Sequence, residues 1–198
     1  MTFRLLTILF VLGQLQVMAL FRNPFKMVGA RALSTGAKQG GKEPFQLVLI
    51  RHGESTWNDL NKFTGWYDCP LSQKGRNEAI AAGKLLKENN FNFDLAYTSY
   101  LQRAIKTLWH SLEETGNMHI PIKNAWQLNE RHYGALQGMD KQQTVNKFGK
   151  EQVLIWRRSY DIPPPECDAD SPSCPANDPK YANIPEAAKI RTESLKVC

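Results

Sequence analysis

The chain has 198 residues, enough for one domain with a core of its own. A net charge of +6 would suit a nucleic-acid ligand, but six of the 25 basic residues (Arg4, Arg22, Lys26, Arg31, Lys38 and Lys42) and none of the 19 acids fall in residues 1–42. The rest of the chain is balanced in charge, so no nucleic acid is expected as a partner.

Residues 1–42 read as a targeting leader. Leu5 to Leu20 is mostly apolar and follows Arg4, and Val17-Met18-Ala19 offers small residues near a cleavage point, a secretory-signal pattern. The run is short for a membrane span and carries Gln14 and Gln16, so no stable span is expected. Arg22 to Lys42 is rich in Arg, Lys, Ser, Thr, Gly and Ala and has no acid, as organellar transit peptides do. A signal followed by a transit stretch resembles the two-part leaders of plastids acquired by secondary endosymbiosis. The expected location is an organelle, a plastid ahead of a mitochondrion, or the cytoplasm if the leader is not functional. The composition changes abruptly at Glu43, so residues 43–198 are read as the domain and an ordered N-terminal helix is set aside.

Gln46 to Ile50 is a short apolar run rich in β-formers and reads as a buried strand, broken by Arg51-His52-Gly53-Glu54. Residues 53–71 are loop-like. Ser72 is placed to cap a helix from Gln73 to about Lys87, with Ala79, Gly83 and Leu86 on one face. Asp94 to Thr98 reads as a second strand. Ser99 is expected to cap a second helix in which Leu101, Ile105, Leu108 and Leu112 repeat at helical spacing and which Gly116 ends. A third strand is expected within Ile120 to Leu128. Asp140 to Tyr160 reads as one or two helices. Asp161 to Pro185 carries seven prolines and reads as a long surface loop, and a last helix is expected from about Glu186. This alternation predicts an α/β fold of three layers, a mainly parallel sheet flanked by helices. Of the cysteines, Cys69, Cys167, Cys174 and Cys198, none forms a C-x-x-C or zinc pattern. They are read as scattered free thiols, with pairing of Cys167 and Cys174 left open.

The chemistry is concentrated in Arg51-His52-Gly53-Glu54-Ser55-Thr56-Trp57-Asn58. Ligands of open α/β sheets bind beyond the carboxyl ends of strands, which is where Arg51 and His52 fall. A neutral imidazole has a lone pair that can attack phosphorus, and a neighbouring guanidinium offers a fork of donors to phosphate oxygens. Gly53 lets the backbone come close to a ligand, and Ser55 and Asn58 add neutral donors.

With Phe63-Thr64-Gly65-Trp66-Tyr67-Asp68, Leu71 to Gly75, Ala96 to Ser99, Leu101 to Ile105, Leu128 to Gly138 and Trp156-Arg157-Arg158, this string resembles the cofactor-dependent phosphoglycerate mutases of the histidine phosphatase superfamily. The resemblance runs nearly unbroken from about residue 46 to 195. It implies that His52 takes the phosphoryl group, that Arg51 and Arg103 hold its oxygens, and that Glu130 is the acid/base. Ser55, Asn58, Thr64, Gly65, Arg131, Tyr133, Lys141, Arg157 and Arg158 would bind substrate. Adjacent helical arginines face different ways, so Arg157 and Arg158 must flank the ligand or reach it by different routes. His110, His119 and His132 are read as structural or exposed. The implied reaction is the interconversion of 3-phosphoglycerate and 2-phosphoglycerate in glycolysis and gluconeogenesis. It would be primed by 2,3-bisphosphoglycerate, with no metal, in a homodimer whose other partners are small phosphoglycerates.

The sequence departs from the family in one respect. Family members carry a second histidine in an H-G-N-S string on a later strand, and no such string stands before Cys198. The domain is therefore expected to be incomplete at its C-terminal end, with few elements to cover the sheet's second face. That keeps open an inactive truncated homologue, and a bisphosphoglycerate mutase or phosphatase, as alternative readings.

Overall fold

A computed structural model describes residues 7–12, 30–34 and 46–196. Its strands are β1 (Thr7–Leu12), β2 (Ala30–Ser34), β3 (Gln46–Arg51), β4 (Leu95–Thr98) and β5 (Ile122–Asn124). They form one sheet in the order β2-β3-β1-β4-β5, parallel except where β2 pairs antiparallel with β3. The helices are α1 (Thr56–Asp59), α2 (Gln73–Glu88), α3 (Gln102–Thr115), α4 (Lys141–Phe148), α5 (Lys150–Arg158) and α6 (Pro185–Ala188). Among the described residues no helix is long and apolar enough to cross a membrane.

The expected β-α-β-α-β order from Gln46 to Asn124 is present. Ser72 caps α2, accepting the Gly75 N–H at 3.0 Å. Gly75, Ala79, Gly83 and Leu86 form its buried face. Val48 and Ile50 of β3 and Ala96 of β4 pack with Leu86 of α2 and Ala104, Leu108 and Leu112 of α3 in one apolar cluster. Gly83 permits the close crossing of the two helices, since a Cβ there would stand 2.8 Å from the Glu114 Cβ. Gly116 closes α3 in the left-handed conformation, at φ 72°. Gly149, at φ 83°, separates α4 from α5.

Several expectations need correction. Ser99 does not cap α3. The α3 cap residue is Leu101, and the free Gln102 N–H is met across the chain by Asp68 Oδ1 at 2.7 Å. Ile105 is only half-buried, because the buried stripe runs through Ala104, Leu108 and Leu112. The loop after β3 contains the short helix α1. The sequence reading placed no element of the domain before Glu43, whereas β1 stands in the middle of the sheet and β2 on its edge. The apolar run Thr7–Leu12 has the composition of a strand buried on both faces as well as that of a signal's apolar stretch. The rest of the stretch read as a leader lies outside the described residues.

The segment from Asp161 to Pro185 is the expected surface loop, mostly exposed, with two short 3-10 turns at Pro175–Asn177 and Pro179–Tyr181 and a few buried anchors. Cys167, Cys174, Pro175 and Tyr181 are buried in it, Tyr181 packing with Trp66 and Ala187. The last helix is four residues long, and the chain after it folds back on the segment from Glu130 to Gln137. The Glu193 N–H donates to the His132 carbonyl at 3.0 Å, Glu193 Oε2 accepts the His132 N–H at 2.7 Å, and Pro165 O accepts the Ala135 N–H at 2.8 Å. Cys167 and Cys174 are free thiols, yet they are neighbours in hydrogen-bonding contact. Burial, with that contact, pushes the Cys167 thiol up to about 11.

Candidate active site

β3 delivers His52 one residue past its carboxyl end. The turn that follows is shaped by glycines: a Cβ on Gly53 would fall 2.1 Å from the Gly75 carbonyl oxygen, and one on Gly75 would fall 1.9 Å from the Glu54 oxygen. The backbone therefore lies against the start of α2 at a distance no side chain allows. Ser55 and Asn58 close α1 in a capping box, the Asn58 N–H donating to Ser55 Oγ at 3.1 Å and the Ser55 N–H to Asn58 Oδ1 at 3.1 Å.

His52 is buried, 5% exposed. Its Nδ1–H donates to the Gly53 carbonyl at 2.6 Å, which leaves the lone pair on Nε2. Arg103 Nε donates to that Nε2 at 3.2 Å. Burial, and then the charge of Arg103, push the imidazole down to about 3, so the ring is neutral at physiological pH. A neutral imidazole with one nitrogen tied down and the other facing a guanidinium is poised as a nucleophile for phosphorus.

Arg103 lies in the first turn of α3 and is fully buried. Its remaining donors hold three oxygens: the Tyr67 carbonyl at 3.0 Å, the Gly65 carbonyl at 2.7 Å and Glu130 Oε2 at 3.0 Å. One guanidinium thus links His52 to Glu130, the expected nucleophile and the expected acid/base. Burial raises the Glu130 carboxyl above the usual carboxylate range, while Arg103, Arg51 and Lys141 pull it down. Such opposed influences suit a group that must both take and return a proton. Lys141, at the start of α4, is held below the usual lysine range by burial and then by Arg157.

Two adjoining cavities share Arg51, Asn58 and Lys141. One, of about 360 Å³, is lined by His52, Gly53, Glu54 and Thr107. The other, of about 320 Å³, is lined by Lys62, Phe63, Thr64, Glu130, Tyr133, Arg157 and Arg158. Five basic residues and one acid in the second cavity favour a small ligand with several negative charges. Thr64 Oγ1 is buried there without a hydrogen-bond partner.

Most residues singled out in the sequence therefore converge. Arg157 and Arg158, the last two residues of α5, both reach the second cavity. Ser55, Gly65 and Arg131 are not among its walls. The Ser55 hydroxyl is committed to the capping box and Gly65 offers its carbonyl to Arg103. Arg131 is 1% exposed and stacks over Tyr133 at 4.6 Å; its Nη2 donates to the Trp156 and Arg157 carbonyls, while Nε and Nη1 have no partner. His132, fully buried and pushed down to about 4 chiefly by burial, is structural as expected: its Nε2–H donates to the Ser173 carbonyl at 3.2 Å. Lys62, Thr107 and Glu193 escaped the sequence reading. Thr107 follows Arg103 by one helical turn and could have been found from that spacing. Glu193 carries no local signal.

A family model described as the histidine phosphatase superfamily, branch 1, matches residues 47–173. Among solved structures, a mycobacterial hydrolase is 27% identical with a TM-score of 0.52, over 68% of this chain and 55% of that one. A mycobacterial glucosyl-3-phosphoglycerate phosphatase solved with VO3 is 30% identical with a TM-score of 0.51, over 58% and 52%. A phosphoglycerate mutase from Bacillus anthracis is 26% identical with a TM-score of 0.45, over 52% of each chain. The chain spans about half the length of these solved structures.

Proposed function

The chain belongs to the histidine phosphatase superfamily, branch 1, and from that premise we propose that it moves phosphoryl groups between phosphoglycerate oxygens through a phosphohistidine on His52. The observation that carries this reading is the His52–Arg103–Glu130 line, a neutral nucleophile and a buried carboxyl joined by one guanidinium. Arg51 and Arg103 neutralise charge spreading over the transferring phosphoryl oxygens. Glu130 removes the proton of the attacking substrate hydroxyl and returns it in the reverse direction. Asn58, Thr64, Lys141, Arg157 and Arg158 hold the carboxylate and the second phosphate.

The site also suits 2,3-bisphosphoglycerate as primer. The basic walls match its charge, and the unpartnered Thr64 Oγ1 on the cavity wall is available to an anionic oxygen. When bound, it supplies the phosphoryl group that primes His52.

A phosphatase is the second reading, favoured by the mycobacterial glucosyl-3-phosphoglycerate phosphatase among the similar structures. The two differ in whether water or a substrate hydroxyl receives the group from His52. The deciding assay supplies 3-phosphoglycerate with catalytic 2,3-bisphosphoglycerate. The mutase reading expects 2-phosphoglycerate without stoichiometric inorganic phosphate. Phosphate release in place of 2-phosphoglycerate would establish the phosphatase.

Two further proposals come from the sequence: a homodimer, to be tested by sedimentation, and import of the chain into a plastid by residues 1–42. A reporter fused to that segment checks the second, and diffuse cytosolic signal would refute it.

A further inference from the structure

We propose that Thr107 is a positioning residue for the nucleophile, fixing through Gly53 which nitrogen of His52 carries the proton. The proposal deepens the phosphohistidine reading and rests on it. Thr107 is 1% exposed and lies on α3 one turn after Arg103. Its Oγ1 accepts the Gly53 N–H at 3.2 Å and donates to the Arg103 carbonyl at 2.8 Å. Gly53 then presents its own carbonyl to His52 Nδ1–H at 2.6 Å.

One helix therefore sets both ring nitrogens. Arg103 faces Nε2 directly, and Thr107 sets Nδ1 through a single residue. The arrangement is needed because Gly53 has no side chain to hold it. Its N–H is buried in a turn where Gly75 already lies against it, so that amide needs a partner from outside. Thr107 is that partner. Without the hydroxyl, the Gly53 N–H is left unsatisfied, and the next peptide unit is held only from its far end, where the Glu54 N–H donates to Glu78 Oε2 at 2.9 Å. Its carbonyl then holds Nδ1–H less firmly, and the Arg103 Nε–H facing Nε2 is left as the main restraint on the tautomer. The tautomer with the proton on Nε2 has no lone pair aimed at phosphorus and cannot attack it.

The β-branched Thr→Val exchange keeps shape and removes the hydroxyl, and Thr107→Ser restores it. The expected result for Thr107→Val has three parts. Nitrogen-15 NMR of the His52 ring shows loss of the single Nδ1–H tautomer. The rate of phosphohistidine formation from 2,3-bisphosphoglycerate falls about tenfold or more, in line with the cost of small misplacements at a reacting atom. Affinity for inorganic phosphate stays within about twofold. Thr107→Ser is expected to recover tautomer and rate. Should Thr107→Val not fold, Thr107→Ala removes the same hydroxyl and serves in its place.

A folded hydroxyl-less variant that keeps both the parent's tautomer and its phosphorylation rate overturns the proposal. So does a loss that Thr107→Ser fails to recover. If the parent itself takes up no phosphate, the phosphohistidine reading has failed, and the tautomer comparison still tests Thr107.

Discussion

Replacing Arg103 by Met tests the central ion pair where its consequences are largest. Arg103 is fully buried and donates to His52, to Glu130 and to the carbonyls of Gly65 and Tyr67. At about 1.5–3 kcal/mol for a hydrogen bond to a charged group, these contacts sum to a gross upper figure of roughly 6–12 kcal/mol. Removing the guanidinium also removes its desolvation cost of several kcal/mol, so the net loss expected is about 3–5 kcal/mol. For a chain of this size that lowers the melting temperature by roughly 10 °C.

The pH dependence has a definite sign. Arg103 lowers the pKa of both His52 and Glu130, so its loss lets both rise. The folded variant then binds more protons than the folded parent between the His52 value of about 3 and the neutral range. Stability falls with pH wherever the folded state binds the excess protons. The variant's deficit should therefore be largest near pH 8 and shrink on acidification toward pH 5. Thermal melts of parent and variant at both values provide the measurement. A deficit below about 1 kcal/mol at pH 8, under the range for breaking a buried pair, or one that grows as pH falls, would refute the reasoning.

Glu130→Gln should reduce turnover about a hundredfold or more while substrate still binds; turnover within a fewfold of the parent would assign the proton transfer elsewhere. Gly75→Ala should destabilise by at least about 1–3 kcal/mol, since its Cβ meets the Glu54 carbonyl, and an unchanged melt contradicts that close approach. Deleting residues 1–42 removes β1 from between β3 and β4, so the fragment should melt without cooperativity and aggregate. A soluble fragment with the parent's sharp transition would show that β1 contributes nothing to the sheet. The same segment cannot be both cleaved in an organelle and retained as β1, and N-terminal sequencing of the mature protein separates the two.

The elements legible in the sequence were those whose evidence is local. Ser72 three residues before Gly75, the 79-83-86 stripe and Gly116 each act on their own helix, so pattern and structure agree there. Ser99 looked like a cap by the same local logic but lost to Asp68, which reaches the Gln102 N–H from 34 residues away. The loop after Asp161 was legible from its prolines and few large apolar groups, but its anchoring was not, since that comes from distant contacts such as the Pro165 carbonyl with the Ala135 N–H. At the site, the string around His52 pointed to the proposed nucleophile. The link from Arg103 to both His52 and Glu130 is a matter of three-dimensional reach that no spacing encodes.

The most direct test of the account is the chemistry of His52 itself. The purified 198-residue chain is incubated with 2,3-bisphosphoglycerate, quenched in base and mapped by peptide mass spectrometry, beside His52→Ala. The account predicts acid-labile, base-stable phosphate on His52 in the parent and none in the variant. Phosphate on another residue, or equal labelling of His52→Ala, would contradict it.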